Sequence, residues 1–185
     1  MMGIHPTHNT MPAYGWIKKG IRKEIQTNTG RNRLNISGAL DVSNMQVIVR
    51  EDETLNAEST IKFLNILSEK YPRARKIHIF CDNARYYKNK AVATYLEDSK
   101  LKMHFLPPYS PNLNPIERLW KFMYEQVLYN RYYEKFQSFK EAVLGFLSSL
   151  TMKKEKIKNM LKKRVRDRFR PIGNNRINEE VFVHT

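Results

Sequence analysis

Between Arg33 and Leu106, short β-forming runs alternate with segments of helical period, and this order constrains the fold more than any other feature. Arg33-Leu34-Asn35-Ile36-Ser37-Gly38-Ala39-Leu40 alternates apolar and polar positions at the period of a strand, and Met45 to Val49 forms a second β-rich run. The Asp41–Asn44 stretch between them suits a hairpin turn. Ile61, Leu64, Leu67 and Tyr71 then recur at helical spacing, widened by Phe63 and Ile66, until Pro72 stops the helix. Ile77 to Cys81 is a short apolar run ending at Asp82-Asn83, the pattern of a buried strand followed by a turn. A helix over about Lys88–Ser99 and a strand over Leu101–Leu106, halted by Pro107-Pro108, extend the series. Antiparallel strands leading into β-α-β-α-β crossovers predict an α/β fold: a mixed sheet with helices on both faces.

Beyond the sheet the pattern turns helical. After a Pro-, Ser- and Asn-rich loop over Pro107–Asn114, Asn114-Pro115 opens a helix with Pro at its first position. Ile116, Leu119, Trp120, Met123 and Val127 mark its core face. Two more helices are expected, about Phe139–Leu150 and about Lys153–Phe169. Upstream, Tyr14-Gly15-Trp16-Ile17 is a candidate short strand. A chain of 185 residues fits one domain with a real core, here residues 1–150, followed by a basic C-terminal helix and tail over 151–185.

Charge narrows the partners. Lys and Arg number 33 against 18 Asp and Glu, a net +15 that suits a polyanion, nucleic acid being the commonest. From Thr151 to Arg170 ten basic residues, among them Lys153, Lys154, Lys162, Lys163 and Arg164, stand against Glu155 and Asp167. So dense a run of one sign favours phosphate contact over a merely solvated face. Cys81 is the only cysteine, so no intramolecular disulfide forms. No run of eighteen apolar residues and no secretory leader is present, so a soluble, cytoplasmic protein without membrane contact is expected.

Two acids stand out. Asp82 follows an apolar strand, where ligands collect in open α/β sheets, although Asp-Asn is also ordinary turn chemistry. Glu117 falls on the first turn of a helix, although Asn114-Pro115-Ile116-Glu117 also matches a capping box. Together they offer two oxygen ligands for a hard cation, Mg²⁺ or Mn²⁺, in a site able to cut or join phosphodiesters. His5, His8, His78, His104 and His184 with Cys81 do not make a zinc set. Arg85-Tyr86-Tyr87 and Arg131-Tyr132-Tyr133 interleave charge with aromatics, as DNA-contacting surfaces and core-packed helices both do.

The run Cys81-Asp82-Asn83-Ala84-Arg85-Tyr86-Tyr87, followed by Phe105 to Pro108 and Tyr109-Ser110-Pro111-Asn112-Leu113-Asn114-Pro115-Ile116-Glu117-Arg118-Leu119-Trp120, resembles the DDE transposases of the mariner and insertion-sequence-630 type. The resemblance extends from His5-Pro6 to about Leu150, and the 34 residues between Asp82 and Glu117 agree with it. It implies an RNase H-like fold and metal-dependent cleavage and transfer of DNA strands at transposon ends and target. Asp82 and Glu117 would be the second and third catalytic acids and metal ligands. Arg85 and the basic C-terminal residues would contact DNA, and the resemblance also implies a homodimer acting at the nucleoid. The family's first Asp stands three residues before its His-Pro, where this chain has Met2. With that acid and the end-reading helix-turn-helix region both missing, an N-terminally truncated domain of impaired activity is expected. The alternative is a catalytically inactive DNA-binding remnant.

Overall fold

The computed structural model describes residues 1–14, 19–20, 24–28, 31–108, 113–152, 155 and 180–184. The segment Gly15–Ile17 of the candidate first strand and nearly all of the expected helix over Lys153–Phe169 lie outside the described residues.

The chain opens with a three-residue strand, β1 (Met2–Ile4), and returns to pair with it through β2 (Asn35–Asp41). A tight turn leads into β3 (Gln46–Asp52), antiparallel to β2 from Asn35↔Asp52 to Asp41↔Gln46. Asp41 makes that turn: its Oδ1 accepts the backbone N–H groups of Ser43 and Asn44 at 2.9 and 3.1 Å, and Met45 sits at φ 52°. Every residue of β2 is buried, Ser37 and Asn35 included, because both faces of this strand are covered. The alternation read from sequence therefore marks two packed faces rather than a wet one and a dry one.

Helix α1 (Ala57–Lys70) is capped by Asn56, whose side chain accepts from the Ser59 N–H while Ser59 Oγ accepts from the Asn56 N–H. It leads to β4 (Lys76–Cys81), a short 3₁₀ turn (Arg85–Lys88), α2 (Lys90–Glu97) and β5 (Leu101–Phe105). The sequence places this second helix from about Lys88. It starts later because Asn89 caps α2, accepting from Ala91 N–H at 2.9 Å. Then come α3 (Pro115–Met123), a π-helical turn (Tyr124–Leu128), α4 (Phe136–Met152) and β6 (Glu180–His184).

The sheet is mixed. β4 pairs in parallel with β5 on one side and β6 on the other, while β2 pairs antiparallel with β1, β3 and β6. Two apolar clusters flank it. On one face Phe63, Leu64 and Leu67 of α1 and Val92 of α2 pack with Ala39, Ile48, Ile77, Ile79 and Cys81. On the other, Ile116, Leu119, Trp120 and Met123 of α3 and Phe139, Val143 and Leu147 of α4 pack with Ile4, Leu34, Ile36 and Leu40. The expected α/β architecture, helices on both faces of a mixed sheet, is the one found. A strand within 151–185 is new: Glu180–His184 joins the sheet rather than trailing from it.

Candidate active site

Asp82 leaves the sheet just past the carboxyl end of β4, at its boundary with a turn. Its Oδ1 accepts the Ala84 N–H at 3.1 Å, while Asn83 Nδ2 donates to the Leu106 carbonyl at 2.6 Å. Leu106 N–H in turn donates to the Cys81 carbonyl at 2.9 Å, so the tips of β4 and β5 are laced together. Turn chemistry and a site role are thus compatible at Asp82, since the turn engages one oxygen and fixes the carboxylate. Ile77, Ile79 and Cys81 are buried in the α1/α2 cluster, so the strand's alternation turns Asp82 toward α3.

Glu117 lies on the first turn of α3. The capping box is not formed: the Asn114 side chain caps no helical N–H. Instead Asn114 Nδ2 faces Glu117 Oε1 at 3.5 Å and Met2 Sδ at 3.7 Å. Burial, and then the negative charge of Asp82, raise the Glu117 carboxyl above the ordinary carboxylate range, against a lowering by Asn114. A like charge felt through solvent within a Debye length means that the two carboxylates share a locality.

Met2 completes the geometry. It faces Gly38 across the β1–β2 ladder, and Val183 lies opposite both Asp41 and Ile79. Gly38 is three residues back from Asp41, and Asp82 is three residues on from Ile79. Met2 and Asp82 therefore occupy one row on neighbouring tracks, about 5 Å apart by the strand spacing. The position where the resemblance expects an acid is beside Asp82 and Glu117, and a thioether stands there.

Neither Asp41 nor Asp52 fills the gap. Asp41 is fully buried and accepts from Tyr71 Oη at 2.7 Å and from Asn44 Nδ2 at 2.8 Å, besides its turn bonds. Its place in the alternation is that of Ala39, on the α1 face. Asp52 shares a side with Ile48, again the α1 face, and pairs with Arg50 at 2.9 Å. Both point away from Glu117. Among the described residues no three His, Cys, Asp or Glu side chains form a group suited to a metal ion, and no helix is long and apolar enough to cross a membrane. His8 is buried against the Tyr133 carbonyl at 2.7 Å, and His5 Nδ1 meets Asn35 Oδ1 at 2.7 Å, so both have structural partners.

Arg85 is exposed on the 3₁₀ turn that follows Asp82. Lys153, Lys154, Lys162, Lys163 and Arg164 lie outside the described residues. The second aromatic pair divides: Tyr132 is exposed, whereas Tyr133 donates to the Val127 carbonyl at 2.6 Å and packs on the α4 side.

Two features escape sequence reading. Gly38 has no room for a side chain, because a Cβ there would collide with the Trp120 ring. Asn114 is buried, and its Oδ1 has no partner among the described residues. The Gly38 of the β2 pattern and the Asn of the proline-rich run carried these signals, but contacts between distant segments are needed to read them.

Residues 3–140 match the DDE superfamily endonuclease family, and the chain belongs to it. It is 27% identical over 116 residues to the insertion element IS630 uncharacterized 39 kDa protein of Shigella sonnei, a match covering 62% of this chain and 34% of that one. The chain thus spans about a third of the length of that relative. Its fold is that of the Mos1 mariner paired end complex with Mn, at TM-score 0.61 and 17% identity, over 93% of this chain and 55% of that one. The catalytic domain of Mos1 mariner transposase superposes at TM-score 0.51 and 20% identity, covering 73% and 74% of the two chains. The sheet and its helices are accordingly the RNase H-like fold of transposase catalytic domains.

Proposed function

We propose that this domain works in DNA transposition, cleaving and transferring DNA strands with a divalent cation held by Asp82 and Glu117, and that Met2 weakens it. The supporting observation is the meeting of Asp82, Glu117 and position 2 at one edge of the sheet, with Glu117 already raised by burial and by Asp82. Two crowded carboxylates fit Mg²⁺ or Mn²⁺, which prefer oxygen ligands and relieve the repulsion, whereas the Met2 sulfur is a poor ligand for either. When bound, such an ion activates an attacking oxygen and neutralises charge on the scissile phosphate. The protein's part is to fix the carboxylates: Asp82 through its turn, Glu117 through the packing of α3 on β2. Arg85 beside Asp82 and the basic run Lys153, Lys154, Lys162, Lys163 and Arg164 would hold the DNA backbone. A DNA partner agrees with the paired-end and strand-transfer complexes in which similar folds are found. A homodimer and a place at the nucleoid follow from the same reading.

Met2→Asp and Glu117→Gln test it, with nicking of transposon-end DNA followed in Mg²⁺. Restoring the acid should raise the rate on the order of 100-fold, and adding Glu117→Gln to Met2→Asp should abolish the gain. No Mg²⁺-dependent nicking in any variant would leave the second reading, a DNA-binding remnant, which the thioether at position 2 favours. Equal nicking by the native chain and Glu117→Gln would remove Glu117 from the site.

A further inference from the structure

β5 is the outer strand of the sheet beside β4, and it ends on an exposed ring. Leu101 and Met103 pack into the α1/α2 cluster, and Phe105, next on the same side, is 44% exposed. Among the described residues Tyr14, Phe105 and Tyr132 are the large apolar side chains left exposed, and of these only Phe105 belongs to a strand. Lys88, itself exposed, holds Nζ 5.2 Å from the centre of the Phe105 ring. Phe105 pairs with Cys81, the residue before Asp82, so its Cα lies about 6 Å from that of Asp82 by strand spacing and rise. The two side chains leave the carboxyl rim of the sheet on opposite sides, Asp82 toward α3 and Phe105 toward α2. Arg85 and Lys90 are exposed on either side of Lys88 in the chain, and no acid occurs in residues 83–96 or 99–116.

We propose that Phe105 is a stacking platform for an unpaired base at a DNA end, with Lys88, Arg85 and Lys90 holding the adjoining phosphates. The proposal deepens the transposition reading and rests on its DNA partner. A lone apolar side chain on a surface is ordinary, although on an edge strand a charged residue would guard better against unwanted pairing. What sets Phe105 apart is its company: a cation over the ring, two more beside it with no acid in the same stretch, and Asp82 one row away. Phosphates need only positive charge, whereas stacking needs a base whose face is open, and it accepts any of the four. Inside a duplex both faces of a base are covered by its neighbours, so only a frayed or overhanging nucleotide can lie on the ring. A strand crossing the carboxyl rim of the sheet would then meet the acids on the α3 side and the ring on the α2 side. The platform would thereby set how far a DNA end is drawn past Asp82 and Glu117.

Fluorescence anisotropy of the full chain in EDTA tests this apart from any cleavage, using a blunt duplex and the same duplex with a short single-stranded overhang. The native chain should bind the overhanging DNA at least about fivefold more tightly than the blunt one. Phe105→Ala and Phe105→Leu should bring that ratio to about one, while Phe105→Trp should keep it, because Trp restores an aromatic face and Leu only apolar bulk. A 2-aminopurine in the overhang should be quenched by the native chain and by Phe105→Trp, and not by Phe105→Ala. Lys88→Gln should weaken both DNAs and flatten the salt dependence of binding. A ratio retained in Phe105→Ala or Phe105→Leu would overturn the proposal. Equal binding of the two DNAs by the native chain would overturn it too, while leaving the DNA reading in place; binding of neither would remove both. A native dimer broken by Phe105→Ala, with the ratio unchanged, would put a second copy of the chain against the ring instead.

Discussion

The two arms of the candidate site are built differently. The β4–α3 arm, which carries Asp82 and Glu117, comes from one stretch of chain and is fastened at several points. Asn83 ties it to Leu106, and the Trp120 ring lies against the Gly38 backbone. The β1 arm is three residues long, is continued along its track by β6, and carries the Met2 thioether in the row of Asp82. Packing thus holds the site's shape through one arm irrespective of what the other presents. Under the proposed function the chemistry would gain from an acid at position 2, but the fold does not need one, because repulsive carboxylates are a cost that scaffolds bear for function.

The sharpest way to break this contrast is to unfasten the well-held arm. Trp120 is buried in the α3/α4 cluster and spans the contact between α3 and β2. Trp120→Ala should destabilise the domain by about 3–5 kcal/mol in urea unfolding, with loss of the raised Glu117 pKa if α3 shifts. A cost near that of a surface substitution would show that α3 is held some other way. Next in size, Gly38→Ala should cost about 1–3 kcal/mol by overpacking against the same ring. In a double-mutant cycle with Trp120→Leu much of that cost should disappear, and simple additivity would deny the contact. Smaller still, Asn114→Ala in the native chain should change stability by only about 1 kcal/mol or less, because the buried Oδ1 it removes is unpaired. With Met2→Asp in place, the Asn114 amide should gain a carboxylate to donate to, and Asn114→Ala should then cost more than it does beside the thioether.

These contrasts also explain what could be read in advance. The order of elements from Asn35 to Met123 was legible because each announces itself locally. α1 shows its apolar stripe and stop, β4 its apolar run before Asp82-Asn83, and α3 its opening proline. Asp82 and Glu117 stood out as candidates through the long run around them. The capping reading of Glu117 failed because the Asn114 side chain turns to Met2 and Glu117 rather than to the helix N–H groups, a choice set by β1, more than a hundred residues away. The register that puts Met2 in the row of Asp82 likewise depends on pairing between distant strands. β6 was missed for the same reason: a five-residue β-forming run at a chain end becomes a strand only if a gap in the sheet accepts it.

The smallest effect tests the two arms against each other most directly. Glu117 is raised by burial and by Asp82. A carboxyl whose folded value exceeds its unfolded value of about 4.5 contributes stability that is fully present below that value and is lost as pH rises through the folded one. Glu117→Gln has no such loss, so its stability relative to the native chain should grow as pH climbs through the carboxylate range and then level off. The half-exposed setting screens the repulsion, and the gain should reach only a few tenths of a kcal/mol. Excess Mg²⁺ should reverse the order, because an ion held by Asp82 and Glu117 stabilises only the chain that keeps both acids. Thermal unfolding at pH 4.5 and pH 7.5, with and without the ion, reads all four states. Equal stabilisation of both proteins by Mg²⁺ would place the ion elsewhere and leave the Asp82–Glu117 pair as mere crowding. A flat pH response would deny even that.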